Sequence, residues 1–285
     1  MDTNSFSIMP MSQEISLTPG ETYAGTITIA NPASSTSDLS YTAAISPYGV
    51  LGADYSVDLL SESSRTEMIN WITLHNAAGT ITPNGTAEVR FTIDVPKTAT
   101  PGGQYAAIKV IKNTADAASG ELSINNIYEV ASIIYGNVAG EVVHDSTVTS
   151  QFIPNFTTTP EFTSTATAEN HGTVHEDALV NFTITNAFNG STIYPHSSSD
   201  TGINEVIMPD TTRELSYTFK DMPALGPINI TQTIDYGGQA YTQSQTLFIC
   251  PVWFMVIMAT LLLSTAALIV AHIAKSRHRK QTSKL

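Results

Sequence analysis

The sequence predicts an all-β exterior of two tandem immunoglobulin-like β-sandwich domains, followed by one C-terminal transmembrane helix. Three observations predict it. Short runs alternate apolar and polar residues with period two, the pattern of a strand with one face packed and one face wet. Gly, Pro and Asn interrupt those runs at short intervals, as the turns of a sandwich require. Near the C-terminus, no Asp, Glu, Lys or Arg occurs from Val252 to Ala274.

Taken along the chain, "ISLTPGETYAGTITIANPASS" places a Pro19–Gly20 turn before a strand that alternates Ile27 and Ile29 with Thr26 and Thr28. Asn31–Pro32 stops it. "LSYTAAI" alternates Leu39, Tyr41, Ala43 and Ile45, and "EVRFTIDVP" alternates Val89, Phe91, Ile93 and Val95 before Pro96. "QYAAIKVIK" and "YEVASIIYGNVAGEVV" close the first domain near Val143, giving a domain over residues 5–146. "HDSTVTSQFIPNFTTTPEF" reads as a connection into a second domain over 147–246. There "ALVNFTITNAF", "RELSYTFKDM", "INITQTIDYGG" and "AYTQSQTLFI" supply strands. A turn–strand–Asn phrase recurs at Ile27–Asn31 and Phe182–Asn186, which suggests that the two sandwiches are related. The second domain is expected to act as a spacer that lifts the first off the membrane.

At about 1.5 Å per helical residue, the charge-free segment covers roughly 35 Å, enough for a hydrocarbon core of about 30 Å. The span is assigned to 250–274 and a basic tail to 275–285. Pro251 suits a first helical turn, Trp253 and Phe254 suit an interfacial belt, and Thr260, Ser264 and Thr265 can bond back to the helix backbone. The tail carries Lys275, Arg277, Arg279, Lys280 and Lys284 and no acid, whereas residues 1–246 hold seven basic and 25 acidic residues. Positive charge beside a span stays cytoplasmic, so the expected topology is a single-pass cell-membrane protein with its N-terminal part extracellular. "MDTNSFSIMPMSQEISL" has neither the basic nor the apolar region of a signal peptide, so an upstream leader is expected.

Composition narrows the function. Charged residues make up 13% of the chain and the net charge is −13, which disfavours nucleic acid as a partner because phosphates would be repelled. Cys250 is the single cysteine and abuts the span, so no intrachain disulfide forms. There is no Gly-x-Ser-x-Gly elbow and no phosphate-cradling loop, so a non-enzymatic protein without cofactors is expected. Asn84, Asn155, Asn181, Asn189 and Asn229 each begin an Asn-x-Ser/Thr triplet, read as chance in a Thr-rich chain.

"LTPGETYAGTITIANPASS", "INWITL" and "ITPNGTAEVRFTIDVPKTATPGGQYAAIKV", in that order, resemble the N-terminal domain of the WxL-interacting protein family. The resemblance covers roughly residues 6–140 plus the anchor. It implies a bacterial, Gram-positive-type surface protein with an immunoglobulin-like domain assigned to peptidoglycan binding, a second β domain and a membrane helix with a basic tail. The second domain looks more like a generic membrane-proximal module, and no family binding residue maps onto this chain.

Three local candidates remain. "NHGTVHED" gathers His171, His175, Glu176 and Asp177, residue types that bind zinc; the alternative is a polar turn before a strand at Leu179. Trp71 in "MINWITLHN" is either an exposed sugar-stacking residue or a core residue on a strand with Ile69, Ile72 and Leu74. Arg213 either pairs with an acid or holds a turn. The expected function is noncovalent binding of an envelope component, peptidoglycan first. The alternatives are adhesive or chaperone-like binding of a protein partner by β-strand addition, and a metal-dependent enzyme.

Overall fold

The computed structural model describes residues 6–113, 128–194 and 203–282. By contact the chain forms two units. The first comprises Met1–Thr147 together with Ala168–Asp177 and Val206–Glu214; the second comprises Val148–Thr167, Ala178–Glu205 and Leu215–Leu285. The contiguous division expected from the sequence has no place for the two segments that the first unit takes from further along the chain.

The first sandwich is built from β1 (Ser7–Met9), β2 (Ser12–Leu17), β3 (Thr22–Ala30), β4 (Leu39–Pro47), β5 (Gly49–Leu51), β6 (Ser56–Asp58), β7 (Ile72–His75), β8 (Ala78–Ile81), β9 (Thr86–Asp94), β10 (Gly102–Lys112) and β11 (Glu129–Val138). One sheet has the order β1-β3-β9-β7 and the other β2-β11-β10-β4-β8, while β5 and β6 form a hairpin. The first strand divides at Pro10 between the sheets: β1 pairs antiparallel with β3, and β2 pairs parallel with β11. A second crossing joins β7, on β9, to β8, on β4; Asn76 takes a left-handed φ of 59° there, a conformation Asn tolerates well.

The alternating residues of β3 and β9 face inward, and residues of β10 and β11 meet them. Ile27, Ile29, Val89, Phe91, Ile93, Ile108, Val110 and Ile134 are buried between the two sheets. Gly25 stands opposite Phe91 in register, and a Cβ at Gly25 would lie 2.2 Å from the Phe91 ring, so the missing side chain makes room for that ring. Trp71 is buried in the same core at the end of a 3-10 turn over Glu67–Asn70. Ile69 therefore lies in that turn rather than on a strand, and the strand starts at Ile72.

The second sandwich contains β12 (Ser146–Phe152), β13 (Phe156–Thr157), β14 (Phe162–Asn170), β15 (Glu176–Asn186), β16 (Thr192–Tyr194), β17 (Ile203–Ile207), β18 (Thr211–Phe219), β19 (Gly226–Tyr236) and β20 (Gln239–Ile249). Its sheets have the orders β12-β14-β18 and β13-β20-β19-β15-β16, with β17 also on β15. The plan matches that of the first sandwich: a divided first strand whose latter half, β13, runs parallel to the last strand, β20. Gly237 and Gly238, both at positive φ, make the tight turn between β19 and β20. Phe162 stacks on Phe219 with centroids 5.0 Å apart, and Phe182 meets Phe219 edge-on at 4.7 Å.

Two sequence expectations are corrected. The stretch from His144 to Phe162 is not a plain connection, because it holds β12 and β13. β12 is an edge strand with Thr147, Thr149 and Gln151 along it, so it shows no apolar alternation. The recurring phrase also pairs strands that do not correspond: Ile27–Asn31 ends β3, whereas Phe182–Asn186 lies in β15. The counterpart of β3 is β14, and the matching residues are Asn31 and Asn170. Both are buried at the end of the second long strand and tie two carbonyls. Asn31 Nδ2 donates to Ser37 O and Ile81 O at 3.1 and 3.0 Å. Asn170 Nδ2 donates to Val174 O and Ile207 O at 2.8 and 3.0 Å.

The final element, α1 (Val252–Thr282), contains a stretch, Val252–Ile273, long and apolar enough to cross a membrane. Thr260, Ser264 and Thr265 each donate to the carbonyl three residues back, at 2.8–2.9 Å. The helix continues past the span into the basic tail; Lys284 lies outside the described residues.

Candidate functional site

Two features of the five-stranded sheet in the first unit are candidates: its outer face and one open edge. β10 is buried almost continuously, from Gly102 to Ile108. A strand covered on both faces loses its alternation, and here one face meets the core while the other meets a tyrosine cluster. Tyr48, Tyr105, Ala107 and Met208 form that second cluster, with Tyr55, Ile133 and Tyr135 packed against it.

His175 closes the cluster. Its ring lies 4.9 Å from Tyr135 and 5.6 Å from Tyr105, and its backbone N–H donates to the Tyr105 hydroxyl at 2.9 Å. Tyr105 Oη is 3.3 Å from His175 Nδ1, and Glu14 Oε1 is 3.7 Å from Nε2. A Cβ at Gly103 would fall 1.9 Å from that hydroxyl, so the glycine of "GGQY" leaves room for the ring. Arg65 donates to Thr173 O at 2.9 Å and pairs with Asp210 at 3.2 Å. Arg213 donates to Val206 O at 2.7 Å and lies over the Tyr55 ring at 4.6 Å. Arg213 thereby holds the turn between β17 and β18, one of its two expected roles.

Tyr105, His175 and Glu14 follow one another in the order of a proton relay, but the electrostatics oppose that use. Burial pushes the phenols of Tyr105 and Tyr135 well above their usual range, so both stay protonated. Burial also lowers the His175 pKa, against the pull of Glu14, Asp177 and Glu176, so the imidazole is neutral at pH 7. A neutral imidazole beside a phenol that resists ionisation activates no nucleophile. The adjoining cavity is about 150 Å³, lined by Tyr48, Ser63, Arg65, Tyr105, Met208 and Thr211 among others. Ligand pockets usually exceed about 300 Å³. The cluster is a hydrogen-bonded plug that fixes residues 168–177 and 206–214 on the sheet.

The structure separates the four candidate metal ligands. His171 Nε2 pairs with Glu169 at 3.2 Å, His175 is buried in the plug, Glu176 holds His144 Nδ1 at 2.7 Å, and Asp177 is exposed. Among the described residues, no three His, Cys, Asp or Glu side chains are grouped to hold an ion. The turn there is shorter than expected, since β15 begins at Glu176 rather than Leu179. Trp71, at 8% exposure, offers no face to a sugar.

The open edge belongs to β11. β2 pairs with it only from Ile133 to Val138. Ile133 N–H donates to Met11 O at 2.9 Å, which marks the side that β2 covers. Backbone groups alternate sides along a strand, so Glu129 and Ala131 direct their N–H and C=O groups to that same side. Among the described residues no strand pairs with them there, while Val130 faces β10 opposite Val110. Nothing local in the sequence distinguishes this stretch from the rest of β11, because pairing register is a long-range property.

No family model and no curated protein matches the chain. Similar solved structures include the class 5 fimbriae chaperone CfaA, at 11% identity and a TM-score of 0.40, covering 85% of this chain and 99% of that one. The E. coli chaperone DraB is 12% identical with a TM-score of 0.36, covering 84% and 98%. The ASH/PapD-like domain 7 of human CEP192 is 16% identical with a TM-score of 0.32, covering 48% and 86%. Likeness at this level carries no argument about ligand or partner.

Proposed function

We propose that this chain is a membrane-anchored, non-enzymatic binding protein at the cell surface whose first sandwich takes an extended protein segment onto β11. The open edge at Glu129–Ser132 is the observation that carries the reading. An unpaired row of backbone donors and acceptors beside an existing strand is a template for one more strand. An incoming segment would continue the line of β2, with Val130 and Ala131 offering small apolar contacts on the two faces. The acidic exterior and basic tail support an extracellular position for both sandwiches.

Peptidoglycan, implied by the resemblance to the WxL-interacting proteins, is the ligand that an experiment has to separate from a protein segment. The full chain is the right material, because the first unit draws on residues far beyond 146. Ala131→Pro removes an outward N–H and places a ring in the path of an added strand, while the bonds to β10 remain. A photo-crosslinker at Glu129 should trap an extended stretch of another protein, mapped by mass spectrometry, and Ala131→Pro should abolish the adduct. If the chain instead sediments with purified peptidoglycan, forms no protein adduct, and Ala131→Pro leaves sedimentation unchanged, the strand-addition reading fails.

A further inference from the structure

The outer face of β20, β19 and β15 changes character at its last row. Going toward the anchor, Thr233 faces Thr242, Thr231 faces Ser244, and Asn229 faces Thr246, each pair hydrogen-bonded at 2.8–3.2 Å. These rows suit water. The next row is Phe156, Phe248, Pro227 and Ala187: Phe156 and Pro227 flank Phe248 in register, and Ala187 N–H donates to Pro227 O at 3.2 Å. Phe156 and Phe248 are 49% and 54% exposed. Beyond the row, Phe188 continues from β15 and Leu225 precedes β19, at 81% and 42% exposure. The Phe188 ring lies 3.7 Å from where a Cβ on Gly226 would be, so Phe188 sits beside the start of β19, next to Leu225 in sequence.

We propose that this apolar rim rests in the headgroup layer of the membrane and seats the second sandwich against the lipid. The inference rests on the reading of α1 as a span. Only Cys250 and Pro251 separate β20 from α1. Phe248 therefore precedes the span by at most about 13 Å of extended chain. The headgroup layer adds roughly 5–8 Å on each side of the hydrocarbon, and Leu225 and Phe188 project past Phe248 toward it. Trp253, 56% exposed, adds an aromatic ring in the first turn of α1. Aromatic and aliphatic side chains at that depth are what a bilayer interface accepts, and they are poor company for bulk water. The loops of the facing sheet carry Glu161, Lys220 and Asp221, all exposed, so the apolar surface is one-sided and the sandwich leans on its β20 face.

The test uses the full chain in phospholipid nanodiscs, with Cys250→Ser as background and one spin label at a time from Phe188→Cys, Ser244→Cys or Leu262→Cys. Collision with a water-soluble relaxation agent should be several-fold lower at 188 than at 244, and lowest at 262. Replacing both half-exposed rings, Phe156→Ser with Phe248→Ser, should raise the value at 188 toward that at 244. Equal aqueous access at 188 and 244, with 262 still shielded, overturns the seating and leaves the anchor intact. Aqueous access at 262 would remove the anchor reading itself, and the seating with it.

Discussion

The two sandwiches share a strand plan and differ in how many faces of the larger sheet are dry. In the first, β10 packs on the core with one face and on the tyrosine cluster with the other, and its burial is nearly unbroken. In the second, the matching strand β19 buries Ile228, Ile230, Gln232, Ile234 and Tyr236 and turns Asn229, Thr231, Thr233 and Asp235 outward. The same topology thus supports two levels of rigidity. A sheet covered twice holds its strands by side-chain packing on both faces, while a sheet covered once relies on one core and a ladder of weak polar pairs.

The largest contrast should come from truncating one residue on each outer face. Tyr105→Ala removes a side chain that is 1% exposed and the acceptor of the His175 N–H, so the first unit should lose about 3–5 kcal/mol. Thr233→Ala, whose partner Thr242 can turn to water, should stay within about 0.5 kcal/mol. Denaturant unfolding of the two variants checks this, and similar losses would mean that the plug contributes no packing. A test of what the sandwiches share comes next. Asn170→Ala strips two buried carbonyls of their donor and Asn31→Ala one buried and one part-buried carbonyl, so the costs should be about 2–4 and about 1–3 kcal/mol. A large effect at one and none at the other would break the equivalence of β3 and β14.

The smallest effect is a pH dependence confined to the plug. In the folded chain, burial holds the His175 pKa below its ordinary 6.5. As pH falls below about 6.5, the unfolded chain takes up a proton that the folded site resists. Stability contributed by neutral His175 is therefore complete above that pH and declines through the window beneath it, down to the folded pKa. His175→Phe should flatten the decline in denaturant midpoint between neutral and mildly acidic buffer. An unchanged slope would assign the pH dependence to other groups.

Much of the fold was legible because one-sided strands announce themselves. "EVRFTIDVP" alternates cleanly, and β9 follows it residue by residue. β12 was missed because an edge strand with polar residues on both faces has no hydrophobic period. The site was far less legible. In sequence His175 stands among candidate ligands, yet its partners are Tyr105, Tyr135 and Glu14, brought together by the meeting of β2, β10 and β11 with a turn far along the chain. Of the two readings of Trp71 the core one holds, and Arg213 braces a turn. The Glu129–Ser132 edge depends on where β2 begins, at Ser12 opposite Ile133, and no local pattern encodes that.

The divided first strand has a mechanical consequence. If a partner held on β11 were pulled away with α1 fixed, tension would enter the second sandwich through β12 and β13 and leave through β20 into α1. The clamp between entry and exit is the parallel pairing of β13 with β20, which spans only Phe156–Thr157 against Phe248–Ile249. The corresponding pairing in the first sandwich, β2 on β11 from Ser12 to Leu17, lies off that load path, because β11 would both hold the partner and lead into β12. Parallel strands pulled along their length must break their bonds together, so the short β13–β20 pairing sets the load that the second sandwich would bear. On that reading the first bonds to shear in the second sandwich would be the few that join β13 to β20.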